Sequence, residues 1–102
     1  MRAVFSPAAR RELLEAVRWI AQDNPAAARA LRDAIVAAAT RIGEFPQLGT
    51  ERPDLVAPPV RLLLLSGFPY LIVYDCEADP PLVLRVLHGA RDLPDIFAEL
   101  LP

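Results

Sequence analysis

The run VRLLLLSGFPYLIVYDCEADPPLVLRVLH, Val60–His88, decides the fold. It holds three β-prone stretches: VRLLLL (Val60–Leu65), YLIVYD (Tyr70–Asp75) and LVLRVLH (Leu82–His88). Branched aliphatic and aromatic residues fill each stretch, while the separators SGFP and CEADPP carry Gly, Pro, Ser and Asp, the chemistry of turns. Separators this short leave no room for a crossover, so the three strands are predicted to form an antiparallel meander.

Alternation within the strands makes a second point. One side of Leu82–His88 holds Leu82, Leu84, Val86 and His88, the other Val83, Arg85 and Leu87. Tyr70, Ile72 and Tyr74 oppose Leu71 and Val73; Val60, Leu62 and Leu64 oppose Arg61, Leu63 and Leu65. Both faces are apolar, whereas an antiparallel sheet with one wet face alternates apolar with polar. Each face therefore needs a cover.

Upstream of the meander lies the first cover. MRAVF reads as a strand over Arg2–Phe5, and Ser6-Pro7 follows as a helix N-cap with proline in the first helical position. Leu13, Val17 and Ile20 recur at helical spacing, predicting an amphipathic helix to about Gln22. Asn24-Pro25 repeats the cap-and-proline start, and Ala27, Leu31, Ala34, Ile35, Ala38 and Ile42 line one face of a second helix ending at Gly43. The pair makes an αα-hairpin whose small alanines permit close packing. Trp19 is expected to pack in the core or at its edge, or else to join a partner surface. The stretch EFPQLGTERPDLVAPP has no periodicity and reads as a connection.

Downstream, LPDIFAELLP can form one short helix from about Pro94. Its apolar residues, Ile96, Phe97, Leu100 and Leu101, are few against a sheet of three or four strands. The second face is thus expected to meet a partner, because a large apolar patch on a monomer usually marks an interaction surface. The fold class is α+β, in the order β-α-α-β-β-β, with a helical hairpin on a small, mainly antiparallel sheet and a short C-terminal helix. Residues 1–102 are expected to be one domain.

Between the meander and the tail stands RVLHGARDL, Arg85–Leu93, with the chain's one histidine. His88 reads first as a hydrogen-bonded structural group. Gly89 is expected to allow a sharp exit from the strand. Arg91 can pair with Asp92 or meet a carboxylate on a partner. Arg61 and Arg85 project onto apolar faces and need acidic partners, which Asp75, Glu77 or another chain could supply.

Composition narrows the chemistry. A single Cys76 and a single histidine argue against a disulfide or a metal site, and no cofactor is implied. No apolar run is long enough to cross a membrane, the N-terminus has no secretory pattern, and a lone cysteine suits a reducing cytoplasm. All eleven basic residues are arginine, as in a GC-rich bacterial genome, and the net charge is −2. That balance gives no general attraction to nucleic acid, and direct nucleic-acid binding is not predicted.

The succession of a strand, two helices joined at NP, FPQLG, an arginine-bearing strand, FPYLIVYD and VLRVLHGARD resembles the RelE/ParE superfamily of type II toxin–antitoxin toxins. The resemblance covers nearly the whole chain. Its most specific pieces are Phe45-Pro46 with Gly49, Arg61, Tyr70 to Tyr74, and Val86 to Asp92. It implies a toxin held inactive in a hetero-oligomer by a cognate antitoxin, a small DNA-binding protein with an amphipathic C-terminal tail. RelE-like members cut mRNA on the ribosome; ParE-like members are non-enzymatic and are associated with inhibition of DNA gyrase. A nuclease needs a base, an acid and cations for the phosphate. Arg61, Arg85, His88 and Arg91 are its candidates here, and Phe97 stands where a tyrosine might be sought as the acid. The FPYLIVYD and HGARD pieces sit closer to the ParE-like pattern. The expectation is a ParE-like binding toxin in which Arg61, Arg85, His88, Arg91, Trp19 and Phe97 contact antitoxin or target. A RelE-like endonuclease and an inactive structural homologue are the alternatives.

Overall fold

The computed structural model describes residues 2–92. The predicted tail helix and Phe97 lie outside the described residues.

Two helices precede most of the sheet. Helix α1 covers Pro7–Ala21 and α2 covers Pro25–Glu44. Both start as their sequences demand: Ser6 Oγ accepts from the Ala9 amide at 3.0 Å and Asn24 Oδ1 from the Ala27 amide at 3.0 Å, each with proline just inside. These side chains satisfy amides that have no partner within the helix. Helix α2 passes through Gly43 to Glu44, one residue beyond the expected stop, and the Phe45 amide closes it onto the Arg41 carbonyl at 2.8 Å.

Five strands form one sheet: β1 Val4–Phe5, β2 Thr50–Glu51, β3 Val60–Leu64, β4 Tyr70–Asp75 and β5 Leu82–His88, in the order β1-β5-β4-β3-β2. The meander β3-β4-β5 is antiparallel as predicted, and β1 pairs with β5 in parallel. Strand β1 is shorter than Arg2–Phe5 because the Ala3 amide turns to the Ala39 carbonyl of α2 at 3.0 Å. Strand β2, inside the stretch read as a connection, was not expected. Its two residues pair with Leu62 and Arg61, so it owes its form to a neighbour and not to its own pattern.

The helical side of the sheet carries the main core. Leu31, Ile35 and Ile42 of α2 and Ala9 and Ala16 of α1 meet Tyr70, Ile72, Tyr74, Val83 and Val86. On β5 the alternation read from sequence fails. Val73 faces Arg85 but Tyr74 faces Val83, so a bulge leaves Leu84 with no opposite residue. An extra residue in one strand reverses the side-chain parity beyond it, and Val83 and Val86 thereby enter the same core.

The opposite face holds a second cluster of Leu71, Val73 and Leu87, with Val60 and Leu62 packed on it. These three are 0–2% exposed within the chain itself. Three central residues of the face expected to meet a partner are thus already buried. Leu64, near the β3 end, is 77% exposed.

Candidate functional site

The site is built where β1 ends. Ser6 still pairs with β5, its amide donating to the Val83 carbonyl at 2.8 Å and its hydroxyl to the Leu84 carbonyl at 2.8 Å. The chain then turns away into α1, which would leave the next β5 amide unpaired. Glu12 replaces the missing strand. Its Oε1 accepts from the Val86 amide at 3.0 Å, and the carboxylate accepts from Arg85 Nε at 3.0 Å to each oxygen and from Arg85 Nη2 at 2.6 Å. One carboxylate thus takes up the amide beyond the end of β1 and neutralises the arginine. The acidic partner expected for Arg85 was Asp75, Glu77 or another chain; the partner is Glu12. Its position was legible, because Ala9, Glu12 and Ala16 share the inward stripe of α1 by helical spacing.

A cleft of about 440 Å³ opens beside this pair. Among the described residues it is lined by Glu12, Glu15 and Trp19 of α1, Tyr70 of β4, Arg85 and the turn residues Arg91 and Asp92. Trp19 is 65% exposed, which overturns its default placement in the core. Tyr70 and Tyr74 are buried, as read.

The turn after β5 is self-contained. The His88 amide donates to Asp92 Oδ2 at 2.8 Å, the Asp92 amide to the His88 carbonyl at 2.9 Å, and the Arg91 amide to His88 Nδ1 at 3.1 Å. Nδ1 is therefore the acceptor nitrogen of the ring. The imidazole also meets Tyr70 edge to face, with centroids 5.2 Å apart. Arg91 Nε donates to Asp92 Oδ1 at 3.2 Å, the local pair expected from sequence. The Asp92 hydrogen bond raises the Arg91 pKa further above its ordinary value. Partial burial pushes Asp92 upward, but the His88 amide and the Arg91 side chain outweigh it and hold the carboxyl below the usual range. The chain leaves the strand in a turn at Gly89 as expected, but the turn does not require glycine there. Gly67 is the one described glycine with positive φ, and a Cβ at Gly89 would meet nothing nearer than the Pro69 carbonyl oxygen at 3.7 Å. One backbone bond and two side-chain acceptors, Asp92 Oδ2 and His88 Nδ1, hold this turn.

Arg61 stands elsewhere. It leans toward the β2 edge, donating from Nη1 to the Gly49 carbonyl at 2.8 Å and from Nη2 to Glu51 Oε1 at 3.1 Å. Its acidic partner is Glu51, again not Asp75 or Glu77. Its buried Nε has no acceptor among the described residues. The structure thus brings Trp19, Arg85 and Arg91 to one cleft with His88 beside it, and sets Arg61 apart on the far side of β4.

The model of the family described as ParE toxin of the type II toxin-antitoxin system parDE matches residues 3–93. The chain belongs to the ParE toxin family. It is a ParE-type toxin of a type II toxin–antitoxin system. No curated protein matches it. Among solved structures, a chain of the chromosomal ParDE TA system from P. aeruginosa is similar in fold, with a TM-score of 0.72 at 21% identity, covering 86% of this chain and 95% of that one. In this ParE-family chain the quoted pieces hold structural posts: Gly49 gives its amide to the Tyr74 hydroxyl at 2.7 Å, that hydroxyl donates to the Pro46 carbonyl at 2.6 Å, and Arg61 clasps the Gly49 carbonyl. Among the described residues no group of His, Cys, Asp and Glu is placed to hold a metal, and no helix is long and apolar enough to cross a membrane.

Proposed function

We propose that this ParE-type toxin inhibits growth by binding and without RNA cleavage, with DNA gyrase as its target and a cognate antitoxin as its inhibitor, in the cytoplasm. One observation carries the binding reading: of the four nuclease candidates Arg61 stands apart from the other three, and each arginine is tied to a carboxylate. Arg85 is clasped by Glu12, Arg91 by Asp92 and Arg61 by Glu51 on the other side of β4, while His88 Nδ1 accepts from a backbone amide. A phosphate-cleaving site needs free cations and a base aimed at one point. The cleft instead offers an exposed tryptophan among two arginines and three carboxylates, the composition of a protein contact. Gyrase rests on family membership, and the antitoxin on that and on the likeness to a ParDE system.

The test pairs two assays. Purified toxin is expected to block negative supercoiling of relaxed plasmid by gyrase, and Trp19→Ala is expected to weaken inhibition at least tenfold without lowering the melting temperature. Primer extension on cellular mRNA after induction is expected to show no new ends. Codon-phased cuts that vanish in His88→Ala would establish the endonuclease instead, and harmless expression with unaffected gyrase would establish an inactive homologue.

A further inference from the structure

A second surface lies at the corner of the sheet where β2 ends. Strand β2 pairs only with Arg61 and Leu62 of β3, so past that point no described strand flanks β3. There Leu64 stands 77% exposed, more than any other large apolar residue described. Beside it opens an apolar hollow of about 420 Å³, whose lining includes Thr50, Arg52, Leu55, Leu62 and Leu71. Leu62 and Leu71 belong to the smaller core cluster, so the hollow continues a packed layer of this chain. Arg52 is the one charged group of the lining, and Asp54 holds it through Nε at 3.0 Å and Nη2 at 2.8 Å. The patch therefore carries no net charge. Folded chains guard such edges with charge, proline or a cover, and Leu63-Leu64 has neither charge nor proline.

We propose that this patch joins two copies of the chain in a symmetric dimer, each Leu64 entering the hollow of the other copy. A projecting side chain and a hollow that can take it stand side by side, which is what a self-complementary contact about a twofold axis requires. Neutrality points the same way. Copies of a chain of net charge −2 repel where their charges meet, and this patch brings none together. A charged partner finds no free charge here to pair with. The hollow shares no lining residue with the Trp19 cleft, and the proposal depends on neither the gyrase nor the antitoxin reading.

The experiment is sedimentation equilibrium of the full chain alone over a wide range of concentration. Wild type is expected to pass from monomer to dimer as concentration rises. Leu64→Asp is expected to raise the dissociation constant at least tenfold, by setting a carboxylate against each apolar hollow. Leu14→Asp, at an exposed leucine of α1, is expected to leave it within twofold. Added salt is expected not to weaken the wild-type dimer, since no ion pair joins the copies. A second pair of variants reads the geometry: under mild oxidation Leu64→Cys/Cys76→Ser is expected to give disulfide-linked dimers, and Leu14→Cys/Cys76→Ser is not. Circular dichroism of dilute Leu64→Asp is expected to match wild type, because the side chain is exposed. A wild type that stays monomeric throughout, a dimer that Leu64→Asp leaves intact, or equal dissociation by Leu14→Asp overturns the proposal. So does a monomer whose Leu64→Asp variant loses affinity for the product of the adjoining gene, which would give the patch to the antitoxin.

Discussion

Tyr74 does the work of a rivet between the sheet and the loop that follows α2. It is fully buried, and its hydroxyl both donates to Pro46 and accepts from Gly49. Replacement by Phe keeps the ring but leaves a buried amide and a carbonyl without partners, a loss of about 1–3 kcal/mol. Chemical denaturation of Tyr74→Phe checks this. Burial raises the Tyr74 pKa above its ordinary value, with the Gly49 amide opposing in part. A raised pKa means the protonated form belongs to the folded state, so this stabilisation is full below the ordinary tyrosine pKa of about 10 and is lost as pH rises through the folded value. Wild type is expected to lose stability above that pH more steeply than Tyr74→Phe. The same site explains Gly49: a Cβ there would stand 2.8 Å from Tyr74 Cε1 and 2.9 Å from the Leu62 carbonyl oxygen, contacts that rigid backbone cannot relieve. Gly49→Ala is expected to destabilise by about 1–3 kcal/mol, and an unchanged melting temperature would show that the loop moves aside freely.

At the scale of elements, the join between α1 and β5 turns on Glu12. Glu12→Ala would leave the Val86 amide and the Arg85 guanidinium without their acceptor. The pair is only partly buried, with side chains 20% and 30% exposed, so the expected loss is about 2–3 kcal/mol, below that of a fully buried pair. Glu12→Gln keeps one acceptor oxygen and should lose roughly half as much. Equal unfolding midpoints for wild type and Glu12→Gln would mean that the charge contributes nothing. This join also shows where sequence reading succeeds. Both helices were legible because caps, prolines and apolar spacing all act within a few residues of chain. The β3-β4-β5 meander was legible because its turns are short. The bulge at Leu84 was not, since it is a matter of how β5 registers against β4, which the apolar pattern on both faces does not mark. The partners of Arg61 and Arg85 were missed for a different reason. Proximity in sequence favoured Asp75 and Glu77, while the fold brings in Glu51 and Glu12. Of the candidate site, Arg85, Arg91 and Trp19 do share one cleft, but nothing local to Arg61 revealed that it points away.

For the whole molecule, the sheet is an apolar layer between two unequal clusters, the larger under the helices and the smaller around Leu71, Val73 and Leu87. A buried leucine truncated to alanine typically loses about 2–5 kcal/mol, through both transfer and the cavity left behind. Leu31 in the larger cluster and Leu87 in the smaller are both fully buried. If the smaller cluster is a true core of this chain, Leu87→Ala should lower stability within that range in the isolated toxin, as Leu31→Ala should. Leu64, exposed on the same face as Leu71, gives the contrast: Leu64→Asp is expected to shift stability by less than about 0.5 kcal/mol. Thermal and urea unfolding of the three variants without any antitoxin decide the matter. A Leu87→Ala variant as stable as wild type in isolation, but weakened in complex, would mean that this face is completed by a second chain after all. The expected order, with Leu31 and Leu87 sensitive and Leu64 indifferent, would instead make the toxin a self-sufficient fold. The antitoxin would then act on a molecule already folded, and neutralisation would depend on what it covers.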